Sequence, residues 1–347
     1  MKAAVIVGRE KVLVKEVPAP EPGRGEVLVA PRYAGICGTD AHIFLGEFEG
    51  RVKYPTTLGH EFAGIVEAVG EGVASFAPGD KVTVDPIIPC MRCVACREGN
   101  TSGCRSLKLL GVDLDGAMAE FVVAAEERTF RLPDRVSVRD GAMVEILSIG
   151  VHATTRGAID PDDFVVILGA GKLGLSILTV LRTTAAGTIV VTDVKDYRLE
   201  IARKIGADYC IDSGRKNAVK EVLDMTGGRG ADRVFEAVGS AQKSASGLQP
   251  VGEAAEMVRS AGRVIVLGQG PEPEPVFWRP FVWKEATLVT SRVTRGEFPR
   301  AISMLEKGVI NPAPLITHEV PLEFVPDAFR MIADDKDQAV KVLVKIG

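Results

Sequence analysis

The sequence lacks the features that mark several large classes of protein. Its 347 residues contain 42 Lys and Arg against 46 Asp and Glu, giving a formal net charge of −4. Because phosphate backbones are bound by a concentrated basic excess, we expect no nucleic acid partner. No apolar run reaches the ~18 residues of a membrane span. Charged residues at Arg9, Glu10 and Lys11 come too early for a signal-peptide core, so we expect a cytoplasmic protein without membrane contact.

Cysteine is scarce, but its distribution is uneven. Four of the six cysteines form a C-x2-C-x2-C-x7-C pattern at Cys90, Cys93, Cys96 and Cys104. Two-residue gaps let successive thiolates approach one ion, and four thiolates suit a closed tetrahedral zinc site. An iron–sulfur run would close with a three-residue gap and a proline, and unliganded thiols are the other alternative. We predict a structural zinc, since no coordination position would be left for a substrate.

The length favours two domains, and the patterns of the two parts differ. The first part contains short β-like runs separated by Gly and Pro, typical of an irregular β-rich domain. These runs are Lys11–Val17, Glu26–Pro31, Ala63–Val69, Lys81–Val84 and Ala119–Val123. A helix is predicted over Pro299–Lys307, a loop around His318, and a last strand over Val340–Lys345.

From about Asp163 onward, apolar runs alternate with helical segments. Such alternation predicts an α/β fold with a doubly wound parallel sheet. The predicted strands are Phe164–Leu168, Thr188–Thr192, Tyr209–Ile211, Arg233–Ala237 and Arg263–Leu267, and the first two helices are Lys172–Arg182 and Arg198–Ile205. Cys210 is expected to be a core residue of the third of these strands, and His152 to pack within a helix. The proline-rich segment Gly270–Pro275 is expected to be a stiff exposed loop.

A G-x-G-x-x-G turn lies between the first strand of this part and its helix. It consists of Gly169, Gly171 and Gly174, with Lys172 and Leu173 opening the helix. Its glycines allow a tight turn, close approach of a pyrophosphate, and close helix–strand packing. Asp193 ends the next strand about twenty residues on, where a carboxylate would bind the ribose of NAD and repel a 2′-phosphate. Arg198 lies near enough to weaken that exclusion, and a turn without ligand is the alternative.

Two short segments carry further candidate metal ligands. Cys37-Gly38-Thr39-Asp40-Ala41-His42 and Gly59-His60-Glu61-Phe62-Ala63-Gly64 contain thiol, imidazole and carboxylate groups. Spacing alone does not show that the two segments meet.

Taken in order along the chain, these motifs resemble the zinc-containing medium-chain dehydrogenase/reductase family. The C-G-T-D-x-H and G-H-E blocks, the four-cysteine lobe and the glycine turn fall in the order of that family. The segment Val144–Ala153 resembles the E-P-L-S-x-G-x-H-A of its polyol (sorbitol-type) branch, with Ile146 in place of Pro. L-threonine 3-dehydrogenases are the other near branch. The resemblance covers nearly the whole chain.

The resemblance implies a zinc-dependent, NAD-linked oxidation of a secondary alcohol of a polyol, sugar acid or related hydroxy compound. Cys37, His60 and Glu61 would bind the catalytic zinc, with Glu145 bound to it directly or through water. Thr39 and His42 would relay the substrate proton to solvent. Leu267 and Gly268 would line the NAD site together with the glycine turn, Asp193 and Arg198. Two zinc ions per chain and a homodimer or homotetramer are expected.

The same resemblance implies a division into domains. Residues 1–153 would form a GroES-like catalytic zinc domain, residues 154–294 an NAD-binding Rossmann domain, and residues 295–347 would return to the first domain. The apolar segments Val276–Trp278 and Phe281–Trp283 would form either a subunit interface or core.

Departures from the threonine branch rank the substrates. That branch has a tryptophan-rich stretch where this chain has Ile43–Glu49, and a histidine where it has Ile87. Arg292 and Arg295 flank the position of a polyol-branch arginine and are expected to be solvated, although a small shift would bring either to a substrate. Amino-alcohol oxidation and a non-catalytic nucleotide-binding protein remain alternatives.

Overall fold

The chain divides into two compact units. A computed structural model describes residues 1–48, 50–239, 242–270, 273, 275–334 and 338–347. Unit 1 comprises Met1–Ser148 and Thr294–Gly347, and unit 2 comprises Ile149–Val293. Positions 271, 272 and 274 of the predicted stiff loop lie outside the described residues. Within those ranges, no helix has the length and apolar character that crossing a membrane would require.

Unit 1 is built mainly from short antiparallel strands. With strands numbered along the whole chain, it contains β1 (Lys2–Gly8), β2 (Lys11–Glu16), β3 (Glu26–Ile36), β4 (Thr56–Thr57), β5 (Glu61–Val69), β6 (Lys81–Val84), β7 (Ile87–Ile88), β8 (Lys108–Leu109), β9 (Val122–Ala125), β10 (Thr129–Arg131), β17 (Ile316–Pro321) and β18 (Lys341–Lys345). The main sheet has the order β10-β6-β5-β3-β18-β17, and β9 also pairs with β3. A smaller sheet has the order β2-β1-β4.

Two strands of unit 1 differ from their predicted ranges. The sequence predicts a strand over Glu26–Pro31, but β3 continues to Ile36. It does so because the pairing with β5 shifts register between Pro31 and Tyr33, and an irregularity of this kind accommodates a residue without an N–H. The strand predicted at Ala119 begins instead at Val122, since Ala119 makes only an isolated bridge with Ala3.

The helices that begin in unit 1 lie between its strands or lead into unit 2. Those that begin in this unit are α1 (Gly38–Phe44), α2 (Val94–Arg97), α3 (Val138–Gly141), α4 (Val144–Gly157), α10 (Phe298–Glu306) and α11 (Val325–Asp334). The predicted loop around His318 is wrong, because this residue lies in β17 and pairs with Val342 of β18. His152 lies in α4 and is buried, as predicted.

Unit 2 contains a parallel sheet with helices between its strands. The strands are β11 (Val165–Leu168), β12 (Ile189–Asp193), β13 (Tyr209–Asp212), β14 (Ala231–Glu236), β15 (Val258–Val266) and β16 (Thr287–Thr290), and the helices are α5 (Lys172–Leu181), α6 (Asp196–Ile205), α7 (Ala218–Met225), α8 (Pro250–Met257) and α9 (Arg279–Trp283). Their order in the sheet is β13-β12-β11-β14-β15-β16. This is the 3-2-1-4-5-6 order of doubly wound dinucleotide-binding sheets.

Burial explains why the central strands of this sheet consist of nearly continuous apolar runs. Every residue of β11 and β12 is buried, as expected for parallel strands covered on both faces. Cys210 in β13 is only half-buried, because this strand lies at the edge of the sheet and not in its core.

The glycine turn connects β11 to α5 as predicted. Gly169 has φ +94, a left-handed conformation that favours glycine. A Cβ added at Gly174 would lie 1.8 Å from the carbonyl oxygen of Gly169, whereas one added at Gly171 would meet nothing within 4 Å. The third glycine therefore packs the helix against the turn, and the second leaves open space.

These contacts predict that two alanine substitutions in the turn differ in their effect on stability. Gly174→Ala should lower the free energy of unfolding by about 2 kcal/mol or more, because the backbone must shift to relieve the overlap. Gly171→Ala, the matched control in the same turn, should leave it within roughly 0.5 kcal/mol. Denaturant unfolding followed by circular dichroism measures both. Equal destabilisation by the two substitutions would contradict the assigned roles.

Candidate functional site

Three candidate ligands from the two separate segments meet in unit 1. Cys37 directly follows β3, His60 directly precedes β5, and Glu61 is the first residue of β5. The antiparallel register places Gly35 opposite Glu61, so the two segments are neighbours. One ligand atom from each of Cys37, His60 and Glu61 lies within 4.8 Å of the others. The strand pairing therefore brings together residues that spacing alone could not connect.

Asp40 supports this group, and sequence reasoning missed it. The carboxylate is fully buried. Its Oδ2 accepts a hydrogen bond of 2.7 Å from the Cys37 N–H, and its Oδ1 lies 3.5 Å from Nδ1 of His60. Asp40 occupies the third helical position of α1 after its cap Cys37, where an acidic side chain commonly completes a capping box. This capping pattern is the sequence signal from which Asp40 could have been identified.

The charges around His60 favour a cation in this centre. Burial alone would lower the pKa of His60, but the carboxylate of Asp40 and the thiol of Cys37 raise that pKa well above its usual value. A proton on the imidazole thus balances the surrounding anionic groups. A metal ion bound in its place would supply the same positive charge.

Lys341 is the second residue that sequence reasoning missed. It lies in β18, next to β3, and its buried ammonium contacts Oε2 of Glu61. Burial lowers the pKa of Lys341 to about 8, while Cys37 and Asp40 oppose that change. A Cβ at Gly35 would lie 2.5 Å from the Glu61 carboxylate and 2.9 Å from the Lys341 side chain. The pair is 280 residues apart in sequence, so no local pattern predicts it.

Glu145 lies in the first turn of α4 and is buried beside the same centre. Burial raises its pKa to about 8; His60 lowers it, while the anionic groups of Cys37, Asp85 and Asp40 raise it further. It is outside the set of ligand atoms that approach one another within 4.8 Å. The structure therefore places Glu145 near the three ligands but not among them.

The donor set fits a metal ion. Oε1 of Glu61 and Oε2 of Glu145 are buried polar atoms without a hydrogen-bond partner among the described residues. Buried carboxylate oxygens are costly without a partner, and a cation would satisfy them. Thiolate, imidazole and carboxylate are the donors that zinc takes in catalytic sites.

The four clustered cysteines also converge. Ligand sulfurs of Cys90, Cys93, Cys96 and Cys104 all lie within 4.8 Å of one another. Backbone N–H groups of Cys96 and Arg105 lower the pKa of Cys93 to about 6, while burial raises the pKa of Cys96 to about 12. Four sulfur ligands this close together can bind one cation, and a tetrahedral zinc fits the donor set.

Thr39 and His42 both lie on α1. They are three residues apart and therefore share one side of the helix. Thr39 is partly buried, and the side chain of His42 is 38% exposed. The imidazole Nδ1 contacts Oε2 of Glu47.

In unit 2, the predicted cofactor residues gather at the carboxyl edge of the parallel sheet. Gly169 follows β11 and Asp193 ends β12. Asp193 accepts hydrogen bonds of 2.7 Å from the Ala170 N–H and 2.9 Å from the Lys195 N–H. Its Oδ2 is 3.8 Å from the guanidinium of Arg198. Lys172 and Leu173 form the first turn of α5, where unpaired N–H groups favour an anion.

Glu236 holds the remaining predicted cofactor residues in place. It ends β14 and is fully buried. Its carboxylate accepts hydrogen bonds from the N–H groups of Val238, Gly239 and Gly268 at 2.8, 2.9 and 3.2 Å, and its carbonyl accepts from Leu267 at 2.9 Å. One side chain thus joins the loops after β14 and β15, a connection that the sequence did not reveal.

Both arginines considered for the substrate are exposed. Arg292 and Arg295 lie on the surfaces of unit 2 and unit 1, respectively.

Comparison with known families agrees with this arrangement. The model of the alcohol dehydrogenase GroES-like domain matches residues 23–134, and that of zinc-binding dehydrogenases matches residues 173–307. The predicted family and fold class are confirmed.

Several curated proteins resemble the chain over nearly its whole length. Sorbitol dehydrogenase from Bacillus subtilis is 32% identical over 348 residues, covering 99% of this chain and 97% of the relative. L-threonine 3-dehydrogenase from Pyrococcus abyssi is 35% identical over 351 residues, covering 99% and 98%. The 2-dehydro-3-deoxy-L-galactonate 5-dehydrogenase from Pseudoalteromonas atlantica is 34% identical over 346 residues, covering 99% and 98%.

Solved structures show the same fold with bound nucleotide. The rspB alcohol dehydrogenase from Escherichia coli CFT073, complexed with NADH, matches with a TM-score of 0.91 at 33% identity, covering 100% of this chain and 99% of that one. A zinc-binding dehydrogenase from Sinorhizobium meliloti 1021, bound to NADP, matches with a TM-score of 0.92 at 30% identity, covering 99% and 98%.

The burial of Glu145 predicts a pH-dependent effect on stability. Its pKa is about 8 in the folded chain against an ordinary 4.5, so the folded state holds a proton that the unfolded state releases between these values. The raised pKa of the carboxyl group therefore costs no stability below pH 4.5, and its cost grows as the pH rises toward 8. Glu145→Gln should raise the free energy of unfolding of the metal-free chain by a few kcal/mol (on the order of 3) at pH 8 and hardly at all at pH 4.5.

Urea unfolding in the presence of a chelator measures this difference at both pH values. Glu127→Gln, at an exposed carboxylate of the same unit, is the control and should have no effect at either pH. An equal change by Glu145→Gln at the two pH values would contradict the assigned burial.

Proposed function

The chain belongs to the zinc-containing medium-chain alcohol dehydrogenase family, and on that basis we propose that it oxidises a secondary alcohol of a polyol, sugar acid or related small hydroxy compound to a ketone, with NAD as hydride acceptor. One observation carries this proposal. Cys37, His60 and Glu61 form a buried donor set whose surroundings favour a positive charge. A family member that had lost its chemistry would have no reason to keep such a costly arrangement.

The proposal assigns one role to each unit. Unit 1, which overlaps the proposed zinc domain of residues 1–153 and 295–347, would hold the catalytic and structural zinc ions. Unit 2, which overlaps the proposed Rossmann domain of residues 154–294, would bind NAD. When bound, the catalytic zinc lowers the pKa of an alcohol hydroxyl and NAD accepts a hydride.

The side chains of unit 1 would prepare the alcohol for that chemistry. Cys37, His60 and Glu61 would hold the ion, with Asp40 orienting the imidazole and Lys341 occupying one oxygen of Glu61. Glu145 would approach the ion directly or through water. Thr39 and His42 would carry the hydroxyl proton toward solvent.

Asp193 supports NAD over NADP. Its carboxylate is 7% exposed at the end of β12, where a ribose diol would donate hydrogen bonds and a 2′-phosphate would be repelled. The guanidinium near it belongs to Arg198, which stacks over the Tyr197 ring 5.5 Å from its centroid. Because that cation reduces the repulsion of a phosphate, the expected preference for NAD is moderate.

Two kinds of evidence indicate which substrates are favoured: the relatives of the chain, and the positions at which the chain differs from the threonine branch. Sorbitol and sugar-acid dehydrogenases are among the relatives. The Ile87 side chain, buried in β7, replaces a histidine of the threonine branch. We therefore place polyols and sugar acids before threonine.

Absorbance of the reduced cofactor tests the function directly. The purified, zinc-loaded chain should reduce NAD with one compound from a panel of polyols, aldonic acids and threonine, and a chelator should abolish the reaction. Cys37→Ser should lower turnover by roughly 10²-fold or more, because it removes a zinc ligand. Gly171→Ala should keep its stability but lose NAD binding, since a methyl group would occupy the open space of the turn.

If threonine is the only compound oxidised, the ranking of substrates is wrong, but the proposed reaction chemistry still holds. A zinc-loaded chain that binds NAD and oxidises nothing in the panel would contradict the proposed reaction and favour a binding role.

An exposed aromatic face supports a homo-oligomer. In unit 2, Phe277, Trp278, Val282 and Trp283 are 63%, 58%, 72% and 77% exposed, while Phe281 between them is buried. The adjacent strand β16 is the last in the sheet order, so it has a free edge within the described part of the chain. Exposed apolar faces and open edges are features that pairing of two copies would cover.

Light scattering after size-exclusion chromatography tests this proposal. The wild-type chain should have the mass of a dimer or tetramer, and Trp283→Glu should convert it to a smaller species. The control is Val309→Glu, at a position of unit 1 that is 55% exposed, which should leave the mass unchanged. A monomeric wild-type chain would contradict the proposal.

A further inference from the structure

A carboxylate that has no part in the mechanism above contacts the ring of His42. Oε2 of Glu47 lies against Nδ1 of the imidazole. The Glu47 N–H also donates a hydrogen bond of 2.9 Å to the His42 carbonyl. The ring of Phe48 lies 6.4 Å from the imidazole, measured between centroids. The turn that ends α1 therefore holds Glu47 beside the ring through its own backbone.

This contact determines which imidazole nitrogen carries the hydrogen. A neutral imidazole has one N–H and one lone pair, and an ionised carboxylate can only accept. Nδ1 must therefore donate to Glu47, and the lone pair is left on Nε2. The second nitrogen is then the one that can take up a proton.

We propose that Glu47 is a positioning residue for proton release, which rests on the proposed role of His42 as the relay end. It fixes the Nδ1–H tautomer of His42 and offsets the positive charge when Nε2 gains a proton. The alcohol hydroxyl loses a proton, the Thr39 hydroxyl accepts one and gives one up, and Nε2 of His42 receives it. Loss of the Nε2 proton to water restores the neutral Nδ1–H ring.

The exposure of the pair agrees with this position in the relay. The side chains of His42 and Glu47 are 38% and 30% exposed, whereas those of Glu61 and Lys341 are fully buried. A half-exposed pair reaches both the protein interior and water. Ion pairs with this much exposure contribute little to stability, so removal of Glu47 should not unfold the chain.

The tautomer can be read without any substrate. The zinc-loaded full-length chain would be labelled with 15N-histidine, and long-range 1H–15N spectra would distinguish Nδ1–H from Nε2–H rings. The chain has four histidines, and His42→Gln identifies the signal of His42. We expect the Nδ1–H form in the wild-type chain and a shift toward the Nε2–H form in Glu47→Ala.

Turnover provides the second measurement. Glu47→Ala should lower it by about tenfold, and the double variant with His42→Gln should be no slower than His42→Gln alone, because both residues act in one step. Glu323→Gln, at an exposed carboxylate that pairs with Lys2, is the control and should change neither the tautomer nor the rate.

Either of two measurements could overturn the proposal. One is the spectrum, if the wild-type ring is in the Nε2–H form or if Glu47→Ala does not change the tautomer. The other is an additive loss of rate in the double variant. A wild-type chain that oxidises no alcohol would contradict the proposed function instead, while the tautomer result would still be read independently.

Discussion

The ammonium of Lys341 and the carboxylate of Glu61 meet in the interior of unit 1, where neither is exposed to water. Ions in such surroundings are tolerated only when every charge has a partner. This requirement extends to Asp40, to His60, whose pKa is raised by the carboxylate of Asp40 and the thiol of Cys37, and to Glu145, whose pKa is raised by burial. The sheet order β5-β3-β18 supplies the partners, and Gly35 on the middle strand leaves the space that the pair fills. The strand pairing that forms the sheet therefore also brings together the charges that balance one another.

Sequence reasoning found what is encoded within short segments. The glycine turn, the four-cysteine lobe and the acidic end of β12 are each local patterns with a direct chemical meaning, and the structure brings each set together. The alternation of apolar and helical segments was sufficient for the doubly wound sheet. Asp40 could also have been identified from the sequence, because its position after Cys37 is that of a capping residue.

Other features depend on pairing between distant segments or on the geometry of loops. Nothing in the sequence distinguishes Lys341 from the other lysines. Its contact with Glu61 is apparent only when β18 lies beside β3. The strand beyond Pro31 could not be recognised, because the register shift that accommodates this residue is a property of two strands together. Glu236 joins two loops, and Glu47 reaches His42 through the shape of the turn after α1. These contacts become visible only in three dimensions.

Unit 1 is discontinuous, whereas unit 2 is a single uninterrupted segment, Ile149–Val293. This difference sets an order of events during synthesis. Chains fold as they leave the ribosome, and contiguous segments close their contacts first. Unit 2 can complete its sheet while β18 is still untranslated, but the carboxylate of Glu61 must wait for Lys341, which is made 280 residues later. During that interval the nascent first unit has an open sheet edge beside β3 and an acidic pocket without its lysine. A chaperone or an early-bound metal ion would have its greatest effect on this intermediate.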